Sequence, residues 1–133
     1  MAFVGKVYAH EKDENFAEFV DTLGVAADRV ASFKQFKPSQ TLEKNGDVYT
    51  LIAKGANETK QVSFKMGEEF DETLSPTRVA KTTFNLDGNV LNQVQKFQDG
   101  HVVTTKREYL DDKLIVTLEH NKWDGKAVRY YKA

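Results

Sequence analysis

Two arginines lie in segments whose alternation decides whether their charge meets water or the interior. In the stretch Val102 to Leu110, one face carries Val102, Thr104, Lys106, Glu108 and Leu110, and the other carries Val103, Thr105, Arg107 and Tyr109. Successive residues of a strand point to opposite faces, so Lys106, Arg107 and Glu108 cannot all reach water. The face with Lys106 and Glu108 holds two charges and belongs outside. Arg107 then points inward with Val103 and Tyr109. In the stretch Lys126 to Lys132, one face is Lys126, Val128, Tyr130 and Lys132, and the other is Ala127, Arg129 and Tyr131. The same comparison of charges puts Arg129 and Tyr131 inside. The reverse facing, with Val128 and Tyr130 inside and Arg129 wet, fits the periodicity equally.

A guanidinium keeps its proton, and an unpaired charge in an apolar interior costs several kcal/mol. Neighbouring strands offer few inward acids, because Glu119 shares a face with Ile115 and Thr117, while Glu68, Glu69, Asp71 and Glu72 read as an exposed acidic turn. The expected partner is therefore an external anion. A carboxylate accepts a forked pair of bonds from a guanidinium and another from a tyrosine hydroxyl, each charge-assisted bond contributing about 1.5–3 kcal/mol. The rest of the chamber is expected to be apolar, so the ligand has an acid head and a hydrocarbon body. Each buried methylene adds roughly 0.8 kcal/mol.

Other chemistry finds no support. The chain has no cysteine, which removes disulfides, thiolate metal sites and cysteine nucleophiles. His10, His101 and His120 lack metal-ligand spacing and read as solvated strand or turn residues. Ser39 and Ser63 sit in no nucleophile elbow, and the glycines form no phosphate-binding fingerprint. Lysine plus arginine is 19 against 20 for aspartate plus glutamate, too little positive charge for nucleic acid. Neither a catalytic residue nor a metal nor a cofactor is expected.

The elements that must position the arginines are mostly strands. Turn signals at Asn45-Gly46, Met66-Gly67, Asp87-Gly88, Asp99-Gly100, Asp111-Asp112 and Asp124-Gly125 punctuate segments rich in β-branched and aromatic residues. One stretch differs: Phe16, Phe19, Val20 and Leu23 recur at helical spacing. Asn15 and Glu18 suit a capping box and Gly24 a stop. A second short helix is expected from about Ala26 to Phe36, closed by Pro38. The order is one strand at about Phe3 to His10, two helices, and roughly nine further strands. Such a meander either closes into a barrel or folds as a two-sheet sandwich, and about ten strands leave room for an interior cavity. With 133 residues, 40% of them hydrophobic, the chain suits a single domain spanning 1–133. No apolar run reaches the ~20 residues of a membrane span. The start, Met1 to Lys6, lacks the basic and apolar regions of a signal peptide, pointing to a cytoplasmic protein.

The same residues carry a family resemblance. Phe3-Val4-Gly5, Glu14-Asn15-Phe16, Leu23-Gly24-Val25, Lys37-Pro38, Glu43-Lys44-Asn45-Gly46-Asp47, Ser63-Phe64-Lys65, Gly67-Glu68-Glu69-Phe70-Asp71-Glu72-Thr73, Gln95-Lys96-Phe97, Arg107-Glu108 and Arg129-Tyr130-Tyr131 follow one another in register. The chain thereby resembles the intracellular lipid-binding proteins, and within them the fatty acid-binding proteins, insect midgut-type members above all. The resemblance implies an all-β fold, a ten-stranded antiparallel up-and-down barrel of two near-orthogonal sheets, with a helix-turn-helix lid between the first two strands. It implies a non-enzymatic, monomeric carrier of long-chain fatty acids, with a retinoic acid carrier of the same family as the alternative. Arg107, Arg129 and Tyr131 match the family's carboxylate-binding positions. Phe16, Val20, Pro38, Val116 and Leu118 match positions lining its cavity, and Gln40 adds an amide to the head-group network. Transient membrane contact through the lid, with Arg29, Lys34 and Lys37 facing anionic lipid, is a further expectation.

Overall fold

The computed structural model describes residues 2–76 and 78–133. Ten strands and two helices follow in the order β1 (Ala9–Glu14), α1 (Phe16–Thr22), α2 (Ala27–Gln35), β2 (Ser39–Asn45), β3 (Val48–Lys54), β4 (Thr59–Phe64), β5 (Phe70–Ser75), β6 (Arg78–Asp87), β7 (Val90–Phe97), β8 (Val102–Tyr109), β9 (Lys113–His120) and β10 (Ala127–Lys132). All pairings are antiparallel. β2, β3 and β4 form one sheet, and the order β1-β10-β9-β8-β7-β6-β5 forms the other. The alternation in the sequence is what makes each strand two-faced. Along β8, Val103, Thr105 and Tyr109 are buried while Thr104 and Lys106 are exposed.

The sheets make an antiparallel barrel joined differently at its two seams. At one, Tyr8 and Gln40 exchange backbone bonds of 2.8 and 2.9 Å, and the Gly5 amide donates to the Leu42 carbonyl at 2.8 Å. At the other, between β4 and β5, side chains take over from the ladder. The Phe64 and Phe84 rings stack with centroids 3.8 Å apart, Phe70 stacks beyond at 6.3 Å, and the Gly67 amide reaches the Phe84 carbonyl. The core around Leu42, Phe84, Leu91, Leu114 and Tyr131 fills the end of the barrel away from the helices. A second cluster, Phe16, Phe19, Val20, Val103 and Ala127, seats α1 against the wall.

Two local expectations need correction. The first strand lies at Ala9–Glu14 and not at Phe3–His10; residues 2–5 form a turn that tucks Phe3 against Tyr109 at 4.7 Å. Burying an aromatic anchor across the barrel's closed end outweighs the β propensity of a short apolar run. Asn15 is no capping-box residue either. It sits in the left-handed region at φ 58, and its side chain donates to the Lys126 carbonyl, so it fastens α1 to β10. Gly24 does end α1, at φ 80, where a side chain would also meet the His101 ring. No helix among the described residues is long and apolar enough to cross a membrane.

Phe84 is fully buried at the seam that lacks a ladder. Phe84→Ala is expected to cost about 3–5 kcal/mol, read as a lowered midpoint in urea denaturation.

Candidate functional site

The inward faces of β8, β9, β10 and β1 converge on one cross-strand row. Arg107 stands opposite Val116, Val116 opposite Arg129, and Arg129 opposite Asp13. With strands about 4.8 Å apart, the Cα atoms of the two arginines stand roughly 10 Å apart with Val116 between them. A cavity of about 440 Å³ opens on this row, within the usual range for small-molecule sites. Arg107, Arg129, Tyr131, Phe16, Val20, Pro38, Gln40, Val116 and Leu118 all line it. α2 adds Arg29 and Phe33, with Phe36 just past its end, and its own residues include none that is buried. Both arginines face inward, which settles the open choice at β10: Arg129 is 6% exposed, and Val128 and Tyr130 lie on the outer face.

The two guanidiniums live differently. Arg129 donates through Nε to Asp13 Oδ1 at 2.8 Å, through one terminal nitrogen to Asp13 Oδ2 at 3.4 Å, and through the same nitrogen to the Phe36 carbonyl at 2.7 Å. It also lies over the Phe16 ring, 3.9 Å from its centre. His10 Nε2 lies 2.8 Å from Asp13 Oδ1. Burial pushes the Asp13 carboxyl up, but the bonds from Arg129 and His10 outweigh it and hold the group below the usual carboxylate range. Arg129 is thus already paired within the chain, to an inward acid that the sequence reading did not place there.

Arg107 donates to the neutral Gln93 amide oxygen at 2.8 Å, and its Nε is buried without a partner. Burial pushes this guanidinium below its ordinary value, against the pull of Tyr109, Tyr131 and Glu72. Among the described residues, the Tyr109 hydroxyl and Gln40 Oε1 are also buried without partners. Gln40 Nε2 donates to the Tyr131 hydroxyl at 3.0 Å, which leaves that hydroxyl's own proton to donate elsewhere. Burial pushes the Tyr131 phenol up, and the Tyr109 phenol up to about 12, so both remain neutral donors. The arrangement has an apolar throat and a polar end lined by Arg107, Arg129, Gln40 and Tyr131. It can hold an elongated molecule whose polar head accepts from the guanidiniums and the Tyr131 phenol.

Three groups escaped the sequence reading. Asp13 falls outside the strand expected at Phe3–His10, and a register shift between His10 and Lys12 puts His10 and Asp13 on the same inward face at an odd spacing. Glu72 is half-buried and accepts from Thr82 and Gln95 at 2.8 and 2.9 Å, so it does not belong to a wet acidic turn. His101 and His120 are buried, with rings 5.2 Å apart, and are not solvated. His120 Nε2 meets the Thr22 hydroxyl at 2.9 Å, His101 Nδ1 meets Asp99 at 2.8 Å, and Arg78 donates to the Leu23 and Gly24 carbonyls. Together they fasten the end of α1 to the barrel rim.

An antiparallel barrel around such a chamber is the form of a protein that encloses a ligand. Fatty acid-binding proteins 2 and 1 of Manduca sexta are each 41% identical to this chain over 133 residues, covering all of both sequences. The solved structure of a fatty-acid-binding protein isolated from Manduca sexta matches with a TM-score of 0.89 and 42% identity, over 98% of this chain and 99% of that one. A fatty acid-binding protein from Drosophila melanogaster brain matches with a TM-score of 0.88 and 40% identity, over 98% and 99%. A Schistosoma mansoni fatty acid binding protein, solved in complex with arachidonic acid, matches with a TM-score of 0.87 and 26% identity, over 98% and 95%. No family model matches the chain. The chain belongs to the fatty acid-binding protein family, as the sequence motifs imply.

His120 is held below the ordinary histidine value by burial first, then by His101 and Lys122. Its neutral form is the folded one, so its contribution is complete above about pH 6.5 and is lost as pH falls toward its depressed folded value. Urea midpoints at pH 7.5 and 5.5 are expected to fall further on acidification for the native protein than for His120→Asn.

Proposed function

We propose that the chain is a carrier that reversibly encloses long-chain fatty acids, the tail in the apolar throat and the carboxylate at the polar end among Arg107, Tyr131, Gln40 and Arg129. The observation that carries this reading is an inward arginine, Arg107, that lines a cavity of about 440 Å³ and has only the neutral Gln93 amide as a side-chain partner. An inward guanidinium without an anion beside it is costly, and a ligand carboxylate lowers that cost. The tail-lining set of Phe16, Val20, Pro38, Val116 and Leu118 offers the hydrocarbon a dry surface. Relatives named as fatty acid-binding proteins, and one solved with arachidonic acid, support the same ligand class.

Nothing in the chamber pairs a nucleophile with a base, so the chemistry it supports is binding and release without turnover. The carrier works in the cytoplasm as a monomer. α2 moves to admit ligand, since it contributes surface to the cavity and no buried residue to either core cluster. Its basic residues act against anionic membrane during transfer; of these, Lys34 is paired with Asp21 at 2.7 Å, which leaves Arg29 and Lys37 the larger part.

Arg107→Gln is expected to weaken oleate binding roughly tenfold or more, for loss of a charge-assisted bond in a dry site, measured by calorimetry on delipidated protein. Undiminished affinity in a folded variant would refute the head-group assignment. Oleate is expected to displace a bound fluorescent acid at lower concentration than retinoic acid does, and mass spectrometry of gently purified protein is expected to find a co-purifying fatty acid.

A further inference from the structure

Ser32 stands apart from the other hydroxyls of the chain. Of the arginines Arg29, Arg78, Arg107 and Arg129, Arg29 alone has a serine or threonine three residues after it, and Phe33 follows that serine directly. Basophilic serine kinases take their substrates as an extended segment and read a cation three residues before the acceptor. Ser32 and Arg29 are both exposed. α2, which carries them, has no buried residue, and Ala26 at its N-cap makes no side-chain cap bond. A helix of nine residues gains little stability by itself, and a segment without buried contacts opens at low cost. The acceptor can be drawn out without unseating the barrel. Ser63, with Lys60 three residues before it and Phe64 after it, lacks that freedom: it lies inside β4 opposite Thr50, whose hydroxyl it meets at 2.9 Å.

The surroundings of Ser32 also suit an added phosphate. Arg29, Ser32 and Lys60 line a surface pocket of about 390 Å³, which Asp28 and Glu58 line as well. The pocket shares Arg29, Phe33, Lys60 and Leu74 with the large cavity, so it lies at the cavity mouth. Arg29 is one turn before Ser32 on the same helix face. Lys60 reaches over from β4, its Nζ 4.8 Å from the centre of the adjacent Phe33 ring. Among the described residues neither Arg29 nor Lys60 forms an ion pair, whereas Lys34 is taken by Asp21.

We propose that Ser32 is a phosphorylation site for a basophilic serine kinase with ATP as the phosphoryl donor, and that the phosphate straps α2 to β4 across the cavity mouth through Arg29 and Lys60. The step joins Ser32 Oγ to the γ-phosphorus of ATP. The bond from that phosphorus to the departing ADP oxygen breaks, and the hydroxyl proton passes to the catalytic carboxylate of the kinase. The product carries a charge of about −1.5 to −2 and three acceptor oxygens. Asp28 and Glu58 oppose it, but both are exposed and free to turn to water, while the ammonium and guanidinium gain short charge-assisted bonds.

The first measurement incubates native protein with ATP and the catalytic subunit of cyclic AMP-dependent protein kinase, and maps phosphopeptides by mass spectrometry. Phosphate is expected on Ser32, absent in Ser32→Ala and entering roughly tenfold more slowly in Arg29→Gln, which lacks the cation the kinase reads. No incorporation, or incorporation first at another residue, overturns the proposal. The strap is read by amide hydrogen exchange over residues 27–35, with no ligand present, so neither measurement depends on the fatty acid reading. Phosphorylation is expected to slow that exchange roughly threefold or more, and the slowing is expected to vanish in phosphorylated Lys60→Gln. Unchanged or faster exchange in the native phosphoprotein, or equal slowing in Lys60→Gln, overturns the proposal.

Discussion

A guanidinium that cannot lose its proton has to be answered wherever the fold buries it, and this chain buries two on the inner face of one sheet. One is answered from within, the other is not. Arg129 has a carboxylate, a backbone carbonyl and an aromatic face around it. Arg107 has a single neutral amide and a stranded Nε. The difference divides the chamber's polar end into a finished structural joint and an unfinished binding surface. That asymmetry, more than the presence of arginine alone, gives the cavity its chemical direction. Had both been paired internally, the interior would be a polar core of no ligand preference. Had neither been, the empty protein would carry two uncompensated buried charges.

The wall that holds these groups is a continuous ladder where they sit and is interrupted across the barrel. β8, β9, β10 and β1 run as a continuous ladder, so the row from Arg107 to Asp13 is fixed by backbone pairing at every step. Across the barrel, β4 and β5 are linked by stacked rings. The helices divide in the same way. α1 is pinned along its length by Phe16, Phe19 and Val20 and at its end by Thr22 on His120. α2 rides over the cavity with no buried residue, held by Lys34 on Asp21 and by Lys60 over the Phe33 and Phe36 rings. Segments with few buried contacts open at the lowest cost, so the fold concentrates its mobility in α2.

The large-scale design was legible because it rests on period-two patterning and turn residues, which are local. The turn pairs Asp99-Gly100 and Asp124-Gly125 fall between strands as expected, and the inward facing of Arg107 follows from the charges on either side of it. What was not legible depends on register and on long-range partners. Asp13 reaches Arg129 only because β1 starts later than its apolar run suggests and because the shift after His10 breaks the alternation. The pairing of His101 with His120 joins two hairpin ends that are far apart in sequence. Neither has a signature within a window of a dozen residues. The family motifs carried the fold and the two arginines, but gave no account of the carboxylate paired with one of them.

Arg129 also explains why the lid and the head-group end form one unit. Its guanidinium lies over Phe16, the first residue of α1, and donates to the carbonyl of Phe36, just past the end of α2. The two ends of the helical insertion are therefore fastened to β10 through a single side chain, and Asn15 adds a second tie to the Lys126 carbonyl. A guanidinium employed this way is poorly placed to turn toward a ligand, because each bond it redirects is taken from the lid. Arg107 has no such duty: nothing on either helix accepts from it. A carboxylate that settles on Arg107 leaves the hinge of the lid intact, whereas one that competed with Asp13 would loosen the cover that keeps water from the acyl tail. On the proposed carrier reading, a head group that draws on Arg129 is therefore weighed against the ties this side chain already makes to Asp13 and to the Phe36 carbonyl.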